Sequence, residues 1–423
     1  MMLKLSELAT REIYCQSHKN SLLVFGRWNS LTPIEYEQLS QKKSDILAQL
    51  DTTWYLPLPP WLNSMVVGEL ISESLSQYGL FYLAPDELVD DEARLFKLSH
   101  ELYQTYPLLG SYVVWQDTGL ALAFDDTLPP PAVNTLSIDF DDIESFIAHQ
   151  LDYEHSVFNH GMLRIFRARC GQKMRWGIWL HHLVADADFV LQLLKVVQNL
   201  IKREIAPAVD YSFLQQIWRL NNRLSTQRTQ LLVAWEEKRN WLSSAKAWSL
   251  DYENSTPVSF DVTLSGEENA FARAALKLAE AISCCEIEGP VLALTPVSLR
   301  YPMDYPVSGC YVTLIPLLLE AGCSISSFQK HHSDGLENAL LPQEDITYQT
   351  GVDYSQARVM INLIENPLEF TPFIHQPHLR NRKAITLTLF KEKSGGWRGT
   401  LSSRLGLEIG QRLAKVFQEV QPK

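Results

Sequence analysis

The sequence has no run of 18 apolar residues, so no transmembrane helix and no membrane partner are expected. Its first residues, MMLKLSELATREIYCQ, are too polar for a secretory signal. Cysteine is sparse: Cys15, Cys170, Cys284, Cys285, Cys310 and Cys323 show no metal spacing and no CxxC. In a chain this long they read as free thiols in a reducing compartment, which points to a cytoplasmic protein without a metal site. Positive charge is short as well. Lys and Arg number 37 against 49 Asp and Glu, a net charge of −12, and an acidic surface argues against a nucleic-acid partner. There is no G-x-S-x-G and no P-loop, which removes the serine-hydrolase elbow and the nucleotide cradle. What is present is a globular composition. Of 423 residues, 46% are hydrophobic and 20% charged, enough for a sizeable core and for about two or three domains, or one unit built of two halves.

One stretch organises the rest. Residues 174–203 read MRWGIWLHHLVADADFVLQLLKVVQNLIKR. The apolar run Trp176 to Leu180 predicts a buried strand, and Phe189, Leu193, Val196, Val197 and Leu200 recur at helical spacing. Between them stand His181, His182 and, four residues on, Asp186. Neighbouring residues of a strand point to opposite faces. One imidazole can therefore face a substrate while the other faces packed protein. Histidine suits proton transfer near neutral pH. An Asp at this offset is better placed to pair with an Arg and hold the turn rigid. A second His-His pair, in His331-His332-Ser333-Asp334-Gly335, has one residue before its Asp and no apolar strand leading into it. It reads as an exposed loop.

Taken in order, Leu22 to Phe25 reads as a short strand. Thr32, Pro33 and Glu35 form an N-cap, a first-turn proline and a capping-box partner for a helix to about Leu50. Residues 63–82 predict a helix and a strand, Asp90 to Tyr106 a helix, Ser111 to Trp115 and Leu120 to Phe124 a hairpin, and Phe140 to Leu151 a helix. Leu163 to Cys170 alternates apolar and basic residues and should pair with the histidine strand. Residues 202–210 read as a link between halves, and 212–247 as a long helical region. After a strand ending at Leu264, Ser265 and Glu268 read as a second capping box. Val291 to Val297 is a buried strand. Ile385, Leu387 and Leu389 alternate ahead of a Gly395-Gly396 turn and a returning strand, and Leu407 to Val420 is an amphipathic helix.

The motif His181-His182-Leu183-Val184-Ala185-Asp186-Ala187 resembles the HHxxxDG signature of the condensation-domain superfamily, which includes chloramphenicol acetyltransferase. Ala187 stands where that signature has Gly. Other blocks follow in the family's order. Residues 55–63 resemble its opening motif. Ser298 to Pro302 with Val307 to Leu317 resembles its "NRxxPE…GxFVNTLPLR" block. Residues 358–367 resemble its late channel strand. The resemblance spans about residues 55–420.

It implies a mixed α/β (α+β) fold of two chloramphenicol acetyltransferase-like subdomains forming a V-shaped pseudo-dimer. The divisions would be an N-terminal extension, 1–50, serving as a cap or docking element, then subdomains 51–206 and 207–423. It implies a free-standing condensation enzyme of nonribosomal peptide and antibiotic biosynthesis, joining a carrier-bound acyl or aminoacyl thioester to a small amine. His182 would be catalytic and His181 structural. Asp186 would pair with Arg300, a buried bridge whose rupture costs about 3–5 kcal/mol. Ala187 and Asn362 would line the substrate channel. No cofactor of its own is implied; the phosphopantetheine arm comes with an acyl or peptidyl carrier protein, or the donor is coenzyme A. Arg167, Arg169, Lys173 and Arg175 are candidates for a carrier-docking patch. A monomer is expected. Two other readings share these residues: an ester-forming enzyme with an alcohol acceptor, and a non-catalytic module that recruits a partner.

Overall fold

A computed structural model of the chain describes residues 5–19, 21–71, 78–86, 88, 91–151, 153, 155–202, 207–246, 257–266, 268–285, 287, 289–300, 307–365, 374–376, 383–393 and 395–420. Tyr301, Pro302, Asn366 and Pro367 of the matched blocks lie outside these residues. The chain divides into two compact units. Unit 1 gathers Met1–Arg223 with Tyr301–Cys310 and Thr371–His378; unit 2 holds Leu224–Arg300, Tyr311–Phe370 and Leu379–Lys423. Both mix strands and helices, as the fold class requires.

The strands, in chain order, are β1 (Ile13–His18), β2 (Ser21–Gly26), β3 (Thr53–Pro57), β4 (Gly79–Leu83), β5 (Tyr112–Gln116), β6 (Gly119–Asp125), β7 (Asn134–Thr135), β8 (Leu163–Cys170), β9 (Lys173–His181), β10 (Val258–Leu264), β11 (Val291–Ser298), β12 (Val312–Leu319), β13 (Val359–Ile364), β14 (Ile374–Gln376), β15 (Ile385–Lys391) and β16 (Trp397–Ser403). In unit 1 the sheet that carries the histidines has the order β14-β4-β9-β8-β7. β9 lies inside it, antiparallel to β4 and to β8. From Trp176 onward every residue of β9 is buried, the pattern of a strand covered on both faces. Gly177 meets a steric demand here: a Cβ would come within 2.4 Å of the Phe81 ring. Phe81, Phe146, Phe166 and Trp179 fill one side of this core. The sheet β3-β6-β5 contains the expected hairpin.

The described residues between Leu5 and Leu50 form a small structure within unit 1. A helix, Leu5–Thr10, and the β1–β2 hairpin pack with Leu39 and Ile46 around a core of their own. The Thr32 capping box forms as expected, with Glu35 N–H donating to Thr32 Oγ1 at 3.3 Å and Thr32 N–H to Glu35 Oε2 at 2.8 Å. The helix to Leu50 is interrupted: Pro33–Gln41 and Lys43–Leu47 are separated at Lys42, whose ψ is 16°. The hairpin is fixed to the rest of unit 1 by the Gln215 amide, which bonds both backbone groups of Gly26. His18 Nδ1 also lies 2.6 Å from Asp126 Oδ1.

The described residues of unit 2 include a six-stranded sheet of order β10-β16-β15-β13-β11-β12. The helices Ala270–Ser283 and Leu407–Glu419 contribute Leu278, Ile282, Leu413 and Phe417 to its core. Two expectations are corrected here. The second capping box does not form: the helix starts at Ala270 behind Asn269, which makes no side-chain cap, and Gly266 at φ +79° cannot be a first helical residue. The segment His331 to Gly335 is not a loop. It belongs to a helix, Ile325–Glu337, capped by Ser324. Phe328, His332 and Gly335 recur at helical spacing, and His332 stacks on Phe271 at 4.1 Å while His331 stacks on Trp241 at 4.3 Å.

Candidate active site

The site begins where β9 ends. His181 is its last residue, and a short 3₁₀ turn, His182–Val184, follows before the helix Ala187–Ile201. His181 thus ends the strand while His182 opens the turn, and the two rings have different surroundings.

His181 is fully buried. The Leu183 N–H donates to its Nδ1 at 3.0 Å, and its Nε2 lies 2.6 Å from Glu69 Oε1. Glu69 belongs to the helix Asn63–Ile71 and is itself buried. His181 therefore faces packed protein, as a structural residue should. Tyr78 and Trp179 stand 6.3 and 6.0 Å from its ring. His155, edge-on to Trp179 at 5.5 Å, is another buried imidazole. Burial, and then the positive charge of Arg164, push its pKa down to about 3.

His182 is half-buried. Its backbone N–H donates to the Tyr78 carbonyl at 2.9 Å, and its carbonyl accepts from the Ala185 N–H at 3.3 Å, closing the turn. The ring's Nδ1 lies 3.7 Å from Cys310 Sγ. Burial lowers the pKa of this imidazole below its ordinary 6.5, opposed in part by hydrogen bonds to its own backbone and by the charge of Asp186. The ring is thus neutral at neutral pH and has a lone pair to accept a proton.

Asp186 is buried and serves as the N-cap of the helix that follows, its Oδ1 accepting from Phe189 N–H at 3.0 Å. This capping role was not foreseen. Its own N–H donates to the Gly309 carbonyl at 3.4 Å. Ala187 is exposed and is the first residue of that helix, where any L residue takes the required dihedrals. The missing glycine therefore leaves no backbone strain.

In unit 2, Arg300 is buried with its guanidinium 4.5 Å above the Tyr311 ring. Val312 opens β12 opposite Ser298. Asn362 is half-buried on β13, in register with Thr388 of β15. The suggested docking patch on β8 and β9 is matched by carboxylates: Arg167 pairs with Glu92, Arg169 with Asp139, and both Lys173 and Arg175 with Asp86.

Glu69 and Cys310 escaped the sequence reading. Glu69 had a weak signal. It stands three residues after the fully buried Val66, on the apolar side of a short helix, where a carboxylate needs a partner. Cys310 had none.

No family model matches the chain, and no curated protein matches it by sequence. Solved structures do. The first condensation domain of the calcium-dependent antibiotic synthetase, in complex with a substrate analogue, is 13% identical with a TM-score of 0.65, over 86% of this chain and 97% of that one. The X-domain of teicoplanin biosynthesis, in complex with OxyB, is 14% identical with a TM-score of 0.65, over 86% and 93%. The condensation domain that mediates chain release from the enacyloxin polyketide synthase is 15% identical with a TM-score of 0.58, over 98% and 93%. The chain has the condensation-domain fold. Among the described residues no helix is long and apolar enough to cross a membrane.

Proposed function

We propose that this chain is an acyltransferase of the condensation type, joining an acyl or aminoacyl thioester on a carrier protein to an amine. The observation that carries the reading is His182, a half-buried imidazole with a lowered pKa on a turn whose leading N–H is capped by the buried His181 ring and which runs into a helix capped by the buried Asp186. The acceptor nitrogen attacks the thioester carbonyl and forms the new C–N bond. His182 takes the proton that this nitrogen sheds. The tetrahedral intermediate collapses, the C–S bond breaks, and the thiol of the phosphopantetheine arm, or of coenzyme A, leaves with a proton. Asp186 and Arg300 form an ion pair that holds the turn, and Asn362 and Ala187 line the channel. The protein works in natural-product biosynthesis, in the cytoplasm and as a monomer. An alcohol acceptor would use the same residues and give an ester.

A second reading has one observation in its favour: a structure of this fold was solved in complex with OxyB, so the fold can bind a partner protein. A recruiting module has no use for the His182 arrangement. The test is an intact-mass assay of the purified protein with acyl-loaded carrier proteins, amines and alcohols, run beside His182→Ala. Product that is lost in the variant supports the acyltransferase. Tight carrier or synthetase binding without product overturns it in favour of the recruiting module.

A further inference from the structure

We infer that Glu69 is a positioning residue, which selects the tautomer of His181 and through it fixes the turn that presents His182. The turn is the first point. Leu183 N–H is among the leading donors of the 3₁₀ turn, a kind of group that helical bonding leaves orphaned. It is satisfied by His181 Nδ1 at 3.0 Å. A ring nitrogen can accept that bond only through its lone pair, so the proton of this imidazole is on Nε2. The opposite tautomer would turn an N–H toward the Leu183 N–H and uncap the turn.

Glu69 decides between the two. Its Oε1 lies 2.6 Å from Nε2, with side-chain exposures of 0% for His181 and 2% for Glu69. In such a site water cannot stand in for the acceptor, and a buried N–H without a partner is costly. The second oxygen, Oε2, finds no hydrogen-bond partner among the described residues, so the hydrogen bonding found for the carboxylate goes to His181. The order of control runs from Glu69 Oε1 to His181 Nε2–H, from Nδ1 to Leu183 N–H, and so to the turn containing His182. Glu69 touches no reacting atom. Its effect on turnover rests on the reading of His182 given above; its effect on the tautomer does not.

The experiment reads both. Long-range ¹H–¹⁵N spectra report which ring nitrogen bears the proton, with His181 assigned by the peaks lost in His181→Asn. The wild-type protein should show His181 protonated on Nε2. Glu69→Gln retains an uncharged acceptor and should keep that tautomer. Glu69→Leu should not, giving the Nδ1–H form or a mixture. Should the leucine variant fail to fold, Glu69→Asp, one methylene shorter, replaces it with the same expected direction. In the acyl-transfer assay Glu69→Leu should lower kcat by ~100-fold, the order expected when a catalytic group moves by about 1 Å, with KM near the wild-type value and Glu69→Gln restoring most of the rate. A wild-type His181 protonated on Nδ1, or a Glu69→Leu variant (or the Glu69→Asp that replaces it) that keeps the wild-type tautomer, overturns the inference. Should every protein lack acyl-transfer activity while the tautomers change as stated, the proposed function fails and the role of Glu69 stands.

Discussion

Replacing Asp186 by Asn separates two jobs that the carboxylate is assigned. One is visible within unit 1: Oδ1 caps the 15-residue helix Ala187–Ile201. Asn and Asp are about equal as N-caps, whereas Ala costs about 1 kcal/mol. If capping were the whole role, Asp186→Asn would unfold like the wild type and Asp186→Ala about 1 kcal/mol earlier. The other job is the proposed ion pair with Arg300, which is 9% exposed. Removing one member of a buried pair costs about 3–5 kcal/mol, because the other charge is left without compensation. Asp186→Asn is therefore expected to lose about 3–5 kcal/mol, and Asp186→Ala about 1 kcal/mol more. Arg300→Ala also forfeits the contact with the Tyr311 ring, so the pair is isolated by a cycle. The double variant Asp186→Asn/Arg300→Ala should cost well below the sum of the single ones. Urea unfolding followed by far-UV circular dichroism measures the midpoints, with slopes compared to exclude a changed unfolded state. A wild-type midpoint for Asp186→Asn would refute the pair and leave Asp186 as a cap alone.

At a fixed concentration of free-base acceptor, turnover should rise with pH through a pKa below 6.5 and then level off, because a lowered pKa leaves His182 neutral at lower pH than an ordinary imidazole; a limb centred at or above 6.5 in kcat/KM, expressed per free-base acceptor, contradicts that environment. His155 bears on acid stability. Its pKa is about 3 in the fold and about 6.5 unfolded, so the unfolded chain binds the proton first. The stability is whole above about pH 6.5 and declines as pH falls toward 3, by at most about 1.4 kcal/mol per pH unit; His155→Phe should flatten the acid limb of a stability–pH curve. Gly177→Ala would drive a methyl into the Phe81 ring and should cost about 1–3 kcal/mol, read as a lower Tm with His182→Ala as an unshifted control.

Much of the site's frame was legible because it is local. β9 is a continuous apolar run, the helix behind Asp186 has a clean 3.6-residue period, and the Thr32 box closes over three residues. Failures came where local chemistry was ambiguous. Ser265 and Glu268 have the spacing of a capping box, but the left-handed Gly266 sits between them. His331 and His332 read as polar loop residues, yet their rings stack on Trp241 and Phe271, aromatics that are 90 and 61 residues or more away in sequence. Glu69 and His181 are 112 residues apart, and no periodicity links them. The basic row on β8 and β9 was legible as charge. Its partners Asp86, Glu92 and Asp139 come from three separate segments, and these three carboxylates stand against the four cations of the row.

The nature of the acceptor can be read from what remains after His182 is removed. An alkyl amine has a pKa of about 10, so near neutral pH it is mostly ammonium and has no lone pair to attack with. His182, whose pKa is lowered, is too weak a base to strip that ammonium efficiently. It is better suited to take the proton after attack, when the nitrogen of the tetrahedral adduct has become far more acidic. In His182→Ala water can take over that late transfer, at a loss of about 10²–10⁴-fold. The residual rate should then climb tenfold per pH unit, following the free amine up to about pH 10. An alcohol behaves otherwise. It is neutral throughout the range and must lose its proton as it attacks, so the base enters the bond-forming step itself. For an alcohol acceptor His182→Ala should leave no residual rate that tracks acceptor ionisation between pH 6 and 9. A pH series on the variant with matched amine and alcohol acceptors distinguishes the cases. A flat residual rate with the amine would mean that the free-amine fraction does not limit attack in the variant, and would refute the neutral amine as the nucleophile.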